Sequence, residues 1–192
     1  FYYDIWNPVT NEHTLLDNTL AVDSFCSAPL IIPETKQIIM PGGDARFGEG
    51  FNQGIVDAPI LDIETRELRP AATMSFARWY PTATMLASGE LFIAGGIDGA
   101  GNVSVTPEIY SPDNDEWRSL FGAADEQIFS KTEGRWWYPR HWAAPNGQIF
   151  GLAGSLSYYI DTDGDGATQL VDNPGMSARD YTSTAVMYRP GL

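Results

Sequence analysis

Apolar residues along the chain gather in short runs rich in Ile, Val, Leu and aromatics, separated by clusters of Gly, Pro, Asn and Asp. No stretch repeats apolar positions at the i, i+3, i+4 spacing of an amphipathic helix, while 19 glycines and 13 prolines punctuate the runs. Such a pattern predicts many short strands and almost no helix. Strands are expected at 28–32, 37–42, 57–63, 82–86, 90–95, 106–110, 142–145, 148–153 and 157–161. With 192 residues and 43% hydrophobic content, the chain can build a core and does not have the composition of a disordered protein. It has no run of about 18 apolar residues, so nothing reads as a membrane span.

The runs repeat. Ile38-Ile-Met-Pro-Gly-Gly-Asp44 returns as Leu91-Phe-Ile-Ala-Gly-Gly-Ile97 and, degenerately, as Gln148-Ile-Phe-Gly-Leu-Ala-Gly154. The second glycine falls at 43, 96 and 154, giving spacings of 53 and 58. A period of about 50 residues, with a diglycine after the second strand, is the kelch signature. The expected fold is therefore all-β: a partial kelch-like β-propeller, three to four blades of a seven-bladed ring. Ile60–Leu68 and Glu108–Trp117 read as third strand, polar turn and fourth strand. Tyr3–His13 is the same element from a preceding blade, and Ser183–Tyr188 starts a further one. Blade boundaries are expected near 22, 74, 135 and 180, within one propeller domain covering 1–192 and with no linker. An unrelated β-sandwich is the competing fold, and the repeat disfavours it. The chain opens in a strand without an initiator methionine and closes partway through another, so it is expected to be an excerpt.

Distances measured back from each diglycine point to a site. Cys26 lies 17 residues before Gly43, Tyr80 lies 16 before Gly96, and Tyr138 lies 16 before Gly154. These three occupy nearly the same station on successive blades. First strands line a propeller's axis, so their beginnings meet at one mouth of the channel, which makes Cys26 and Tyr80 neighbours.

Ser24-Phe-Cys-Ser-Ala28 with Gln37–Asp44 resembles the segment of galactose oxidase and glyoxal oxidase that carries a cross-linked cysteine. Ala77-Arg-Trp-Tyr-Pro-Thr-Ala-Thr-Met-Leu86 with Gly89–Gly96 is similar to that family's radical-tyrosine segment, in wording closer to the glyoxal oxidases. The resemblance implies a copper-radical oxidase that oxidises a primary alcohol, aldehyde or carbohydrate with O2 and releases H2O2. It also implies that the Cys26 sulfur bonds the Tyr80 ring ortho to the phenol oxygen, that this oxygen ligates copper, and that the protein is secreted. Two departures stand out. Where galactose oxidases have a tryptophan over the thioether, 18 residues past the radical tyrosine, this chain has Asp98, which cannot stack, so radical protection or substrate shape differs, or Trp79 or Trp142 substitutes from elsewhere. The family's other copper ligands, a tyrosine beside a histidine and a later histidine, would fall beyond Leu192. A non-catalytic kelch propeller binding carbohydrate or protein is the alternative.

Other residues carry two readings each. Arg135 and Arg140 stand near the same mouth, as substrate-holding guanidinium groups or as ordinary surface ion pairs. His141 approaches the channel or is structural, and His13 lies in an outer turn. Asp161, Asp163 and Asp165, with Asp172 at the twelfth position, have the spacing of a calcium loop, but strands flank them and Asp-Gly pairs also suit a tight hairpin. Asn102-Val-Ser104 is a chance glycosylation triplet. A net charge of −14 and a pI of about 4.3 repel a phosphate backbone and exclude nucleic acid as a partner. Cys26 is the single cysteine, so no internal disulfide forms.

Overall fold

Among the described residues, each apolar run named above forms a strand that pairs antiparallel with its sequence neighbour. The structure, a computed structural model, describes residues 2–45, 52–171 and 185–186. Its strands are β1 (Tyr2–Asn7), β2 (Glu12–Asp17), β3 (Leu30–Ile32), β4 (Gln37–Ile39), β5 (Ile60–Asp62), β6 (Leu68–Arg69) and β7 (Trp79–Met85). They continue as β8 (Leu91–Ile97), β9 (Glu108–Ser111), β10 (Glu116–Ser119), β11 (Arg140–Ala143), β12 (Ile149–Ala153), β13 (Leu156–Asp161) and β14 (Ala167–Val171). Helix among the described residues is limited to two 3-10 turns, Phe121–Ala123 and Thr132–Gly134.

The strands make three four-stranded meanders, β3-β4-β5-β6, β7-β8-β9-β10 and β11-β12-β13-β14, plus the hairpin β1-β2. The first strand of each meander is its edge, and β7 touches both β3 and β11. This is the arrangement of consecutive propeller blades with their first strands side by side. Pro81 is tolerated inside β7 because an edge strand has only one ladder to serve. The first meander's strands are shorter than expected, since Pro41 brings no N–H to extend β4. One strand, β14, was not anticipated. It is mostly exposed and offers no buried apolar face for a sequence pattern to show. The strand expected at 183–188 and the Asp172 ligand position lie outside the described residues, apart from Ala185 and Val186.

Packing follows from the two-residue period of β8. Leu91 and Ile93 join Ile32, Ile39, Ile60 and Met74 in a core against the preceding blade. Phe92 and Ala94 point the other way, into Ile149, Ala153, Tyr158 and Ile160 of the following blade. A strand buried on both faces is what a stack of blades demands, and it explains the unbroken apolar run at 91–94. The middle blade is further tied by an ion pair with both side chains fully buried. Arg78 Nη2 stands 3.0 Å from Glu108, and the same guanidinium donates to the carbonyls of Gly95 and Thr106.

The diglycines work through contact between blades. Gly42 and Gly43 have φ of 81° and 135°, and Gly95 and Gly96 have 76° and 88°, all in the region that favours glycine. A Cβ on Gly95 would come within 2.7 Å of Pro139 and 2.9 Å of the Trp136 carbonyl. A Cβ on Gly42 would come within 2.6 Å of the Arg78 carbonyl and 3.2 Å of Pro81. Each diglycine thus receives the entry segment of the next blade. Gly43 N–H donates to the Arg78 carbonyl at 3.0 Å, and Gly96 N–H to the Trp136 carbonyl at 2.7 Å.

Candidate functional site: a cysteine between two tyrosines

The segments held by the diglycines are those that carry Tyr80 and Tyr138, each two residues past the accepting carbonyl. The station inferred from spacing is a physical one. Cys26, Tyr80 and Tyr138 all adopt left-handed backbone, with φ of 59°, 64° and 47°. Their main chains are laddered: Tyr80 N–H donates to the Cys26 carbonyl at 3.2 Å, and Tyr138 N–H to the Tyr80 carbonyl at 3.1 Å. A non-glycine residue in this region costs roughly 1–3 kcal/mol, and such strain gathers at functional sites. Three in one ladder mark the place where the fold has been bent to aim side chains.

The side chains converge. Cys26 lies close enough to both phenols to act on their titration. Burial, then the Cys26 contact and the nearby Asp44 carboxylate, push the Tyr80 phenol up to about 12. Burial and then Cys26 also raise Tyr138. Both phenols are therefore protonated donors at neutral pH. The Tyr138 ring meets Tyr80 edge-on, with centroids 4.9 Å apart and planes at 68°.

Asp98, at the position expected to stack, does something else. Its carboxylate accepts from the N–H groups of Ala100 and Asn102 at 2.8 Å each, and from the Asn102 amide at 2.9 Å. Burial opposes its charge, but the bonds from Asn102, Ala100 and Gly101 outweigh it and hold the carboxyl below its usual range. The stacked plane comes from Trp137, whose ring lies 4.6 Å from Tyr80 at an interplanar angle of 20°. Trp79 sits 4.0 Å from Tyr80 but tilted by 42°. Trp142 faces Phe150 instead, at 6.1 Å. Sequence reasoning missed Trp137, although a signal was there: it directly precedes a station residue, as Trp79 precedes Tyr80.

The remaining candidates are placed as follows. Arg135 is held by the Glu133 carboxylate at 2.9 Å and donates to the Gln127 carbonyl at 2.9 Å, so its guanidinium braces its own loop. Arg140 lies in β11 opposite Leu152, half-buried. His141 is buried beneath the mouth, its Nε2 2.8 Å from the Tyr158 hydroxyl, and burial lowers it to about 3. It is a neutral core residue. His13 pairs with Asp4 in the exposed β1-β2 hairpin. Asp161, Asp163 and Asp165 stand in the β13-β14 turn. There the Asp161 carboxylate accepts the Asp163 N–H, Arg118 takes the carbonyls of Thr162 and Gly164, and Gly122 N–H takes that of Asp165. Among the described residues, no three His, Cys, Asp or Glu side chains form a group that could hold a metal ion, and Asp172 lies outside those residues. None of the helices described is long and apolar enough to cross a membrane.

With this geometry in hand, the comparisons with known proteins are informative about class. The Kelch motif family matches residues 78–120, which is the middle blade. An F-box/kelch-repeat protein of Arabidopsis thaliana is 30% identical, over 43% of this chain and 29% of its own length. Among solved structures, a fungal alcohol oxidase of the AA5 family, in complex with copper, superposes with a TM-score of 0.75. It is 19% identical and covers 93% of this chain, which spans 36% of it. The chain therefore spans about a third of each of these relatives. At that identity the likeness establishes the fold, a kelch-like propeller of the kind that AA5 oxidases also use.

Proposed function

We propose that this chain carries the cysteine–tyrosine redox pair of a secreted copper-radical oxidase, which converts a primary alcohol or aldehyde with O2 into the oxidised product and H2O2. The observation that supports this most is the main-chain ladder that sets Cys26 and Tyr80 side by side on strained, left-handed backbone, the Tyr80 N–H on the Cys26 carbonyl at 3.2 Å, with Trp137 stacked on the Tyr80 ring. The pair fits the organic half of such a cofactor, since a sulfur beside a phenol is what a thioether link requires. For the metal, Tyr80 is the ligand this chain would supply through its phenol oxygen; the rest of the ligand set would come from elsewhere. Copper, when bound, supplies one of the two one-electron acceptors that a two-electron alcohol oxidation needs.

What the chain's own residues contribute can be stated without the metal. The sulfur, once joined to the ring, donates electron density and spreads an unpaired electron, which eases oxidation of the phenol. The Trp137 plane covers one face of that ring and excludes water from it. Joining removes one hydrogen from the Cys26 thiol and one from the Tyr80 ring. O2 takes the two electrons and two protons and becomes H2O2.

The test uses the full-length protein with copper and O2. The expected results are a mass about 2 Da low, a Cys26 thiol silent to alkylation, and peroxide production abolished in Tyr80→Phe. An alkylatable Cys26 under those conditions refutes the oxidase. It would favour the second reading, a non-catalytic kelch module for carbohydrate or protein, which the kelch-repeat relative supports.

A further inference from the structure

Tyr80 does not meet its tryptophans singly. Trp137 stacks on it with centroids 4.6 Å apart, and Trp79 lies 4.0 Å away. Both indoles in turn meet Trp136, Trp137 at 5.1 Å and Trp79 at 6.4 Å, each with planes 30° apart. Trp136 is thus common to two arms that converge on Tyr80, and it is only half-buried. Its main chain is pinned on both sides: its N–H donates to the Ser130 carbonyl at 3.1 Å, and its carbonyl accepts from Gly96 at 2.7 Å. Shielding of Tyr80 needs one stacked plane and not this continuation. Rings held in such contact leave only short gaps for an electron, because orbital overlap falls off exponentially with distance.

A second observation is independent of the spacing. The Trp79 Nε1–H is buried and has no hydrogen-bond partner among the described residues. A buried donor without an acceptor is uncommon and asks for a reason. An indole that has lost an electron becomes acidic at that N–H. Where no base stands beside it, the proton stays and the electron vacancy moves on. A phenol gives up electron and proton together, so a vacancy that reaches Tyr80 stops there. Tyr138 is 36% exposed and meets Tyr80 only edge-on, and as a phenol it holds a vacancy instead of relaying one.

We propose that Trp136, with Trp79 and Trp137 behind it, is a port through which a cationic one-electron oxidant draws an electron from Tyr80. This rests on the reading of Tyr80 as a redox residue. The oxidant takes one electron from the Trp136 indole and is reduced. Trp136 regains an electron from Trp79 or Trp137, and that ring regains one from Tyr80, whose phenol releases its proton to water. The net change is one electron to the oxidant and one proton to solvent, with the three indoles unaltered. A net charge of −14 draws cationic partners in and repels anionic ones. The port suits a site that works in electron pairs, because a single stray electron is removed by single-electron exchange and not by the two-electron reaction with O2.

The experiment uses the full-length protein before copper is added, with a cationic ruthenium tris-bipyridine complex as photo-oxidant and a sacrificial electron acceptor. After a flash, transient absorption should show a tryptophan radical giving way to a tyrosyl radical, and Tyr80→Phe should remove the latter. Raising the salt should slow its formation. Trp136→Phe keeps an aromatic ring in place, but a phenyl ring holds its electrons too tightly to relay, so the Tyr80 radical should fall several-fold. Trp136→Tyr, whose ring gives up an electron far more readily than a phenyl ring, should restore part of it. If the Phe protein does not fold, Trp79→Phe together with Trp137→Phe cuts both arms and should give the same loss. An undiminished Tyr80 radical in these variants, or none in wild type, would overturn the port. A Cys26 that stays alkylatable with copper and O2 would overturn the oxidase while leaving this relay to Tyr80 intact.

Discussion

Arg78 offers the sharpest test of how the blade that carries Tyr80 is held. It sits two residues before Tyr80, is 0% exposed, and has four partners, the most distant being the Ser104 carbonyl at 3.5 Å. Its guanidinium donates to the Gly95 carbonyl at 2.7 Å, the Thr106 carbonyl at 2.5 Å and the Glu108 carboxylate at 3.0 Å. Glu108, also 0% exposed, accepts the Ser75 N–H through its other oxygen at 2.7 Å. Burial drives the Arg78 pKa down and the Glu108 charge drives it back up. Arg78→Met would leave a buried carboxylate without its counter-charge and would take the guanidinium donor from three carbonyls, those of Gly95, Ser104 and Thr106. Breaking such a pair from one side costs about 3–5 kcal/mol. Glu108→Gln keeps an acceptor for Ser75 and for the guanidinium, so it should cost less, about 2 kcal/mol. In the double variant no buried charge remains, and its cost should fall short of the sum of the singles by about 1–3 kcal/mol. Urea unfolding of the four full-length proteins closes the cycle. A single Arg78→Met cost below about 1 kcal/mol, or strict additivity, would refute the reasoning that this pair is a buried, mutually dependent tie.

Three further outcomes are expected. His141, lowered to about 3 by burial, binds a proton far more readily in the unfolded chain than in the folded one. Its contribution to stability is therefore complete above the unfolded value near 6.5 and is lost as pH falls toward 3, at about 1.4 kcal/mol per pH unit at most. Substituting His141→Gln should flatten the acid limb of a stability–pH curve; an unchanged limb would show that His141 is not its source. Gly95→Ala should lower the melting temperature well beyond Gly89→Ala. Both have positive φ, but a Cβ at Gly95 collides with Pro139 and Trp136, whereas Gly89 has nothing within 4 Å. Equal shifts would refute the steric account of the diglycine. In the copper-loaded full-length protein, Trp137→Ala should shorten the lifetime of the Tyr80 radical signal several-fold, and Trp137→Phe should restore part of it, because the stacked ring is what shields that face. An unaltered decay in the Ala variant would remove Trp137 from the site.

Several of these features were legible in the one-dimensional pattern, because a propeller repeats a local unit. Strand periods, turn chemistry and the diglycine each need only a few neighbouring residues, so the blades and the equal spacing of Cys26, Tyr80 and Tyr138 can be read by counting. What counting cannot supply is contact between blades. The stacking ring on Tyr80 comes from Trp137, 57 positions further on, after Asp98 had been drawn off to cap its own loop. Arg135 reads equally as a substrate-holding guanidinium or as an ordinary ion pair until the turn of the chain brings Glu133 onto it. Arg78 and Glu108 look like two surface charges 30 residues apart, and only the closing of β7, β8 and β9 into one sheet buries them against each other. Local sequence determines what each backbone segment does. Which side chains share a low-dielectric space is decided when segments distant along the chain are packed together, and the chemistry of Cys26 depends on that packing.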